Sequence, residues 1–460
     1  RMKRLLKRLV VPALAVFSVG AALDFSWRAG EGNVPASEYV AASSLHDRVE
    51  QITAGYVIEQ VKEEVELPSA YDYREEGRSV PVRDQGPYGT CWAFASLTAL
   101  ETSLMPERLY DFSRDHLNYH NHYQLGTEEG GSYVMSVSYL TAWGGPVLEE
   151  DDPYGDNTSP DDLEAVCHVQ EVRMPGNRDF EAIKRTVYLY GGVESSLYMD
   201  FSDPGQDSEY YNRRNASYCY LGSEQPNHDV VIIGWDDEYP AENFQRRPEG
   251  DGAFLCQNSW GTGFGDDGIF YVSYYDVNIG SYNVAYTRVE DSDNYDILHQ
   301  ADLLGWCGQL GYNSEQAYFA NVYEAEEAQL LRAAGFYATG DDTEYRLAVI
   351  PDFESVEDLK DVAFTQSGYL QYAGYYTIDF DTPVSVDAGE RFAVLVQIRT
   401  PKSQYPIAVE FASSELGDAV TLEDGEGYIS ADGGWVWERV ETAQDSNLCL
   451  KVYADREETR

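Results

Sequence analysis

One cysteine, placed between a glycine-containing turn and a helix, constrains this chain more than any other feature. Residues 84–94 read Asp-Gln-Gly-Pro-Tyr-Gly-Thr-Cys-Trp-Ala-Phe. From Trp92 to Leu104 apolar residues recur at helical spacing, and Thr90 is a candidate N-cap, which predicts a helix with Cys91 in its first turn. A helix start favours a thiolate over a thiol through its partial positive charge and unpaired N–H groups. Cys91 is therefore a candidate nucleophile.

A thiolate needs partners to cleave an amide, because the leaving amine must be protonated and the oxyanion stabilised. His228 lies just before the apolar run 230–234, which is short enough to be a buried strand. Asn258 follows a second apolar run, 253–256. Its carbonyl could hold the imidazole in one tautomer while Trp260 covers the hydrogen bond from water. The sequence thus predicts a cysteine, a histidine and an asparagine at one site.

These motifs, in this order, resemble those of the papain-like cysteine peptidases. The chain contains Gln-Gly-x-x-Gly-x-Cys-Trp-Ala-Phe, then Asn-His-x-Val, then Asn-Ser-Trp-Gly, with a polar insertion at 236–252 between the last two. The resemblance implies that Cys91 is the nucleophile and that His228 acts first as base and then as acid. It further implies that Asn258 orients the imidazole and that the side-chain amide of Gln85 stabilises the oxyanion.

The resemblance also implies a substrate cleft. Gly130 and Gly131 look like the family's paired glycines, whose backbone binds an extended peptide as an added strand. Asn227 and Trp260 would line the same cleft. Tyr88 stands where the family usually has a cysteine, so a familiar disulfide is missing, but none of the four catalytic positions is altered.

Two other groups of side chains have candidate chemistry. A histidine cluster contains an i, i+4 pair suited to a metal ion, but it lies on what looks like the family's second core helix, so no metal and no cofactor are predicted. Without Cys91, five cysteines remain, and their pairing stays open. The histidines are His116, His120 and His122; the candidate pairs are Cys307 with Cys449 and Cys167 with Cys219, which leaves Cys256 buried.

Charge and the first residues limit partners and location. The chain has 32 basic and 80 acidic residues, a net charge of −48, so nucleic acid and anionic membranes would repel it. Residues 1–22 combine a basic start, an apolar run and small residues, which predicts a secretory signal peptide; an uncleaved anchor is the alternative. We expect the protein to be secreted and not to stay inserted in a membrane once the signal peptide is removed. Residues 23–66 then look like a short pro-segment.

Two domains are predicted after residue 66. Residues 67–288 hold every peptidase motif and imply an α+β, papain-like two-lobed fold with a helical left lobe and a β right lobe. The acidic stretch 290–294 looks like a linker. Residues 289–460 predict an all-β sandwich or jelly roll able to fold alone, and such a domain looks like the lectin-like domain of secreted bacterial peptidases. The predicted strands are 317–323, 330–338, 345–350, 375–380, 391–398, 407–411, 435–440 and 448–453.

These features predict a secreted bacterial cysteine endopeptidase that acts on proteins or peptides and has an accessory binding domain. Glycans or cell-surface polymers are the candidate ligands of that domain, because Trp306, Trp435 and Trp437 could stack on sugar rings; equally, they could fill its core. Two alternatives stay open. One is a surface-binding adhesin that uses the peptidase fold as a scaffold, and the other is a transpeptidase or deamidase acting through the same dyad.

Overall fold

The computed structural model describes part of the chain, beginning with a small antiparallel pair of strands, β1 (Phe17–Ser18) and β2 (Ala21–Ala22). Most of the predicted signal peptide, and the predicted pro-segment up to residue 57, lie outside the described residues. The described residues are 17–18, 21–22, 58–123, 130–200, 208–411, 420–422 and 425–457.

The described residues contain five α-helices. None of them is long and apolar enough to cross a membrane. They are α1 (Cys91–Ser103), α2 (Arg114–His120), α3 (Tyr133–Thr141), α4 (Phe180–Leu189) and α5 (Val440–Gln444); 3-10 turns lie at Arg213–Asn215, Ala241–Asn243 and Val356–Leu359.

The remaining strands fall into two groups along the chain. The first group is β3 (Ala70–Asp72), β4 (Cys167–Met174), β5 (Val193–Leu197), β6 (Tyr211–Asn212), β7 (Ser217–Tyr218), β8 (His228–Asp236), β9 (Ala253–Gln257), β10 (Ile269–Ser273) and β11 (Ser281–Asp291). The second group is β12 (Ile297–His299), β13 (Gly308–Leu310), β14 (Gln316–Glu324), β15 (Gln329–Ala338), β16 (Thr343–Ile350), β17 (Gln366–Leu370), β18 (Ala373–Val386), β19 (Arg391–Arg399), β20 (Ile407–Phe411), β21 (Gly427–Ser430), β22 (Glu438–Arg439), β23 (Ser446–Leu448) and β24 (Leu450–Arg456).

Helix α1 is the centre of the first lobe. Its residues from Cys91 to Thr102 are buried, as expected for a helix that is apolar on all sides. Glu101 and Arg114 form a fully buried ion pair of 2.7 Å that ties α1 to α2, and Glu101 also accepts a 3.0 Å hydrogen bond from the backbone N–H of Phe112. The C-terminal half of α1 is thereby fixed against α2 and the residues that precede it.

The second lobe is a sheet whose central strands bring two motif residues to one edge. Strand β8 lies between β5 and β9, and it runs antiparallel to both. His228 begins β8, Asn258 follows the last residue of β9, and the register pairs Val231 with Gln257. The β-branched run after His228 therefore builds the buried strand that the sequence predicts, and it carries the histidine to the sheet edge facing α1.

The C-terminal half is a β-sandwich, which confirms the predicted all-β domain. A six-stranded sheet in the order β17-β16-β19-β14-β21-β22 packs on β18, β15 and β24. The core between them comes mainly from β-branched and aromatic residues on alternating positions, which suits two facing sheets. Its members include Phe319, Leu347, Val394, Val396 and Ile398 from one sheet and Leu331, Phe336, Leu450 and Val452 from the other.

One predicted strand in this half is wrong. The sequence predicts a strand over 435–440, but only Glu438–Arg439 pair with β21, and α5 begins at Val440. Gly433 has a φ of +68°, and the indole N–H of Trp437 donates to the carbonyl of Gly434, so the chain turns where the strand was expected. The two aromatic residues of this turn differ in exposure, because Trp435 faces solvent and Trp437 packs against a hydrophobic core.

The two halves share a sheet, and the first two residues of the predicted linker belong to it. Strand β18 pairs antiparallel with β4, so the sheets of both halves are continuous. Glu290 and Asp291 end β11 and pair with β4, and Asp291 forms a salt bridge with Arg108. The acidic stretch 290–294 was expected to be a linker; its first two residues instead end strand β11, where Asp291 pairs with Arg108.

Candidate active site

The orientation of the asparagine fixes the tautomer of the histidine. His228 Nε2 lies 2.7 Å from Asn258 Oδ1, and the backbone N–H of Ser259 donates to the same oxygen at 2.8 Å. Because a backbone N–H only donates, the atom facing it must be the amide oxygen, and Nε2 must then carry a hydrogen. In the neutral ring Nδ1 is therefore the basic nitrogen. Trp260 packs over the ring, with centroids 4.8 Å apart.

Cys91 begins α1, as predicted, and its thiol is near the start of β8. Burial raises the pKa of Cys91, and the charge of Asp229 acts in the same direction. The backbone N–H groups of Asp229 and Trp92 favour the thiolate, but burial outweighs them. Burial therefore opposes the helix start, which favours the thiolate. Thr90 precedes the helix, yet its hydroxyl bonds to Tyr154 at 2.6 Å rather than capping the helix.

Burial also governs the histidine. It lowers the pKa of His228 to about 4, against a smaller opposing effect of the hydrogen bond to Asn258. Burial thus favours the uncharged form of both side chains. The arrangement can transfer a proton from sulfur to Nδ1 when the sulfur attacks an acyl carbon.

Gln85 is buried beside the asparagine motif and is held from two sides. Its Oε1 accepts a 2.6 Å hydrogen bond from Ser259 Oγ, and its Nε2 donates to the carbonyl of Tyr88 at 2.7 Å. Its backbone N–H also donates to the Ser259 carbonyl at 2.8 Å. One amide hydrogen of Nε2 is thereby used within the turn, which leaves the second hydrogen to donate to another group.

The predicted substrate-binding glycines lie against the helix of the nucleophile. Gly130 has a φ of +76°, which favours glycine. A Cβ on Gly131 would lie 2.3 Å from the indole of Trp92, which is fully buried. The pair therefore lies close to α1 and leads into α3. Asn227 is locked to the end of β5, because its Oδ1 accepts from the backbone N–H of Met199 at 2.7 Å.

Two buried carboxyl groups lie beside this site, and none of the sequence motifs predicts them. Asp229 follows the histidine, and its Oδ1 accepts a 2.5 Å hydrogen bond from Ser196 Oγ. Glu194, on the neighbouring strand β5, accepts from Ser96 Oγ. Burial raises the pKa of both. In the described part of the chain neither has an ion-pair partner. Acidic residues inside short apolar strands are the sequence signal that would have found them.

The clustered histidines form hydrogen bonds within the protein, and the remaining cysteines are buried. His116 Nδ1 bonds to Tyr139 Oη at 2.6 Å, and its ring stacks on His120, which bonds to Ser159 Oγ at 2.9 Å. No group of metal-binding side chains occurs among the described residues. All six cysteines are buried free thiols, so neither open disulfide pairing is present.

Fold and site together define a papain-like cysteine hydrolase with an appended β-sandwich. Residues 67–288 match the family model described as papain family cysteine protease, and residues 298–454 match the one described as lectin like domain. The chain therefore contains a papain-family cysteine protease domain followed by a lectin-like domain. This family assignment and the fold agree with the sequence prediction.

Curated relatives match the peptidase part. A viral cathepsin of Heliothis zea nuclear polyhedrosis virus is 26% identical over 214 residues, which cover 45% of this chain and 53% of the relative. Cathepsin K of Gallus gallus is 31% identical over 209 residues, 44% of this chain and 57% of the relative. The chain thus spans a little over half the length of these two curated relatives.

Solved structures match both parts. The clostridial cysteine protease Cwp84 after propeptide cleavage is 26% identical, with a TM-score of 0.73, over 85% of this chain and 100% of that chain. A structure of the cysteine protease and lectin-like domains of Cwp84, a surface layer associated protein of Clostridium difficile, is 24% identical, with a TM-score of 0.75, over 93% of this chain and 98% of that chain. The second likeness concerns the fold alone.

Proposed function

We propose that this chain is a secreted cysteine endopeptidase in which Cys91 is the nucleophile, His228 the base and then the acid, and Asn258 the orienting residue. The observation that carries the proposal is the locked pair of His228 and Asn258, which directs the basic Nδ1 away from the asparagine. A general base needs a fixed tautomer, with its basic nitrogen directed to the group that it deprotonates.

The proposed reaction begins with a neutral thiol and a neutral imidazole. Cys91 Sγ attacks the scissile carbonyl while His228 Nδ1 takes its proton, which gives a tetrahedral oxyanion. The free amide hydrogen of Gln85 and the backbone N–H of Cys91 would stabilise that oxyanion. His228 then gives the proton to the leaving amine, and water, deprotonated by the same nitrogen, hydrolyses the acyl-enzyme.

The proposed substrates are proteins or peptides bound in extended form. Gly130 and Gly131 would offer backbone hydrogen bonds, with Asn227 and Trp260 lining the other side of the cleft. The acidic composition, with a net charge of −48, favours substrates with basic side chains.

A labelling experiment tests the activity. The purified protein is treated with an irreversible epoxide or vinyl-sulfone peptide, and the modified residue is identified by mass mapping. We expect one label, on Cys91, because Cys91 is 9% exposed whereas the other five cysteines are at most 2% exposed. Cys91→Ala and Cys91→Ser should remove both labelling and hydrolysis of a fluorogenic peptide while keeping the far-UV circular dichroism. Parental hydrolysis by Cys91→Ala would refute the assignment.

For the lectin-like domain we propose binding of glycans or cell-surface polymers. We further propose that the protein is located outside the cell and attached to the cell surface. The likeness to a surface layer associated protein supports this location. Of the three candidate tryptophans, Trp306 and Trp437 pack against hydrophobic cores, while Trp435 is 77% exposed. Retention on purified cell-wall polysaccharide should fall at least tenfold in Trp435→Ala; unchanged retention would exclude this tryptophan as a sugar platform.

A further inference from the structure

The nine residues before the peptidase domain lie along the boundary between the two domains. Gln60 Nε2 donates to Glu344 Oε1 at 2.9 Å, and Lys62 Nζ lies 2.7 Å from Asp342 Oδ1. Both acceptors belong to the lectin-like half. The backbone N–H of Glu63 donates to Gln371 Oε1, also in that half, at 2.8 Å. Residues 58–66 form no helix or strand, so side chains fix their position.

The side chain of Glu63 reaches the other domain. Both of its carboxylate oxygens lie 2.8 Å from Arg173 Nη1, and Tyr190 Oη donates to one of them. Arg173 also stacks over the ring of Tyr190, 4.5 Å from its centroid, and its Nε donates to Glu171 at 2.6 Å. The guanidinium is thus oriented by three groups, which suits it to hold a carboxylate firmly.

Two neighbouring charged residues of this segment pair with opposite charges in the two domains. Lys62, a cation, pairs with an acid of the lectin-like half, and Glu63, an acid, pairs with a cation of the peptidase half. A polar segment with no core of its own stays ordered only where such contacts offset the lost chain entropy. A cation followed by an acid therefore favours binding of this segment at the boundary over binding of a segment that has acidic residues alone.

This boundary is far from the candidate active site. The segment continues into β3, where Ala70 pairs with Asp236 at the end of β8, and the indole N–H of Trp235 donates to the carbonyl of Pro68. His228 is at the opposite end of β8. At about 3.3 Å per residue, the two ends of the strand are roughly 25 Å apart. None of the partners of residues 60–63 belongs to the candidate site.

We propose that the boundary between the two domains, around Arg173, is a docking site for residues 58–66 of this chain. The docked residues act as a strap that ties the N-terminal segment to both domains independently of the cleft. The proposal concerns binding and not the reaction, so it holds or fails separately from the role of Cys91.

Hydrogen exchange on the full chain, carrying Cys91→Ala so that it cannot cleave itself, tests the strap. We expect slow exchange of the amide of Glu63, whose N–H donates to Gln371 Oε1. Glu63→Gln should speed exchange at least tenfold there, and also at residues 371–373 across the boundary. Glu64→Gln is the matched control, because it removes the same charge from the exposed neighbouring position. Equal exchange in the Glu63 and Glu64 variants, or fast exchange of the Glu63 amide in the parent, would overturn the proposal.

A double-mutant cycle separates docking from general loosening. Tyr190→Phe removes one donor to the Glu63 carboxylate and leaves the aromatic ring under Arg173. If the carboxylate occupies this site, the double variant Glu63→Gln/Tyr190→Phe should exchange little faster than Glu63→Gln alone. If the two effects multiply, the groups act independently, and the strap is not held at Arg173.

Discussion

His228 Nε2 and Asn258 Oδ1 share a 2.7 Å hydrogen bond whose acceptor is fixed by the neighbouring backbone N–H of Ser259. The bond therefore does more than hold the ring in place. It puts the hydrogen of the neutral imidazole on Nε2, and Trp260 restricts rotation of the ring. Orientation is thus divided between a hydrogen bond and an aromatic contact.

This division predicts the effect of Asn258→Ala. We expect kcat to fall by about ten- to a hundredfold, because the variant leaves a buried donor without its acceptor and frees the tautomer. His228→Ala should cost considerably more, since it removes the base itself. The measurement is kcat on a fluorogenic peptide for both variants and the parent. Equal losses in the two variants would mean that the asparagine has a role beyond orientation.

A second prediction concerns the oxyanion donor. Gln85→Ala should lower kcat by about 10²–10³ with little change in KM, because an oxyanion donor acts on the transition state. Ser259→Ala, which removes only the 2.6 Å hydrogen bond to Gln85 Oε1, should give a smaller fall in kcat. Steady-state kinetics on one substrate series distinguish the cases. A change confined to KM in Gln85→Ala would assign this residue to substrate binding.

The third prediction uses the carboxyl group next to the histidine. Burial raises the pKa of Asp229 from its ordinary 3.8 to about 6. The folded state therefore binds this proton more tightly than the unfolded state. The stability it contributes is complete below about pH 4 and is lost as the pH rises through 6. Asp229→Asn should remove that loss and keep an oxygen for the hydrogen bond from Ser196.

The measurement is Tm against pH for Asp229→Asn and for the parent. The lowered pKa of His228 gives the opposite slope below pH 6.5, but it is present in both proteins and cancels in the difference. We expect the difference in Tm, variant minus parent, to rise between pH 4 and pH 8. Alkylation of Cys91 by iodoacetamide should also shift to lower pH, because Asp229 raises the thiol pKa. A flat difference in Tm would show that Asp229 is ionised without penalty.

The sequence predicts those features that depend on residues close together in the chain, and it does not predict those that depend on contacts between distant residues. Cys91, His228 and Asn258 stand in local motifs, each beside a helix or strand with clear periodicity, so their elements were predictable and their placement at one edge followed from the resemblance. The roles assigned to them stay predictions. The raised thiol pKa was not predictable, because it depends on burial by residues distant in the sequence.

The contacts between domains were also hidden from the sequence. Residues 375–380 were predicted as a strand, but nothing local shows that β18 would pair with β4, two hundred residues earlier in the chain. Partner choice in a sheet depends on which edges remain free after folding, and single-sequence periodicity does not contain that information. The same holds for Glu63, whose partner Arg173 lies in a different domain from that of Gln371.

The fourth prediction concerns the glycine beside the indole. Gly131→Ala should destabilise the protein by about 1–3 kcal/mol and lower kcat/KM, because the added Cβ would overlap the fully buried Trp92. Gly263→Ala is the control: no atom lies within 4 Å of a Cβ there. Urea unfolding and kinetics on the two variants provide the comparison. If both variants behave alike, the paired glycines have no special packing requirement.

The last prediction reverses an expectation from the sequence. The acidic stretch suggested that residues 67–288 and 289–460 would fold separately, but β4 takes β18 as its neighbour, and one core contains residues of both parts. Tyr123 Oη donates to the Leu304 carbonyl at 2.7 Å, and Thr377 Oγ1 donates to Gln170 at 2.6 Å. A peptidase domain cut at 288 would expose the edge of β4 and part of that core.

We therefore expect residues 67–288 alone to be insoluble, or to unfold at a markedly lower temperature, and to lose most of their activity. Residues 58–457 should match the full chain, since they keep both sides of the boundary and the strap. Soluble yield, Tm and kcat/KM on one fluorogenic peptide measure the difference. If residues 67–288 form a soluble monomer with the kcat/KM of the full chain, the shared sheet is dispensable and the two domains are independent after all.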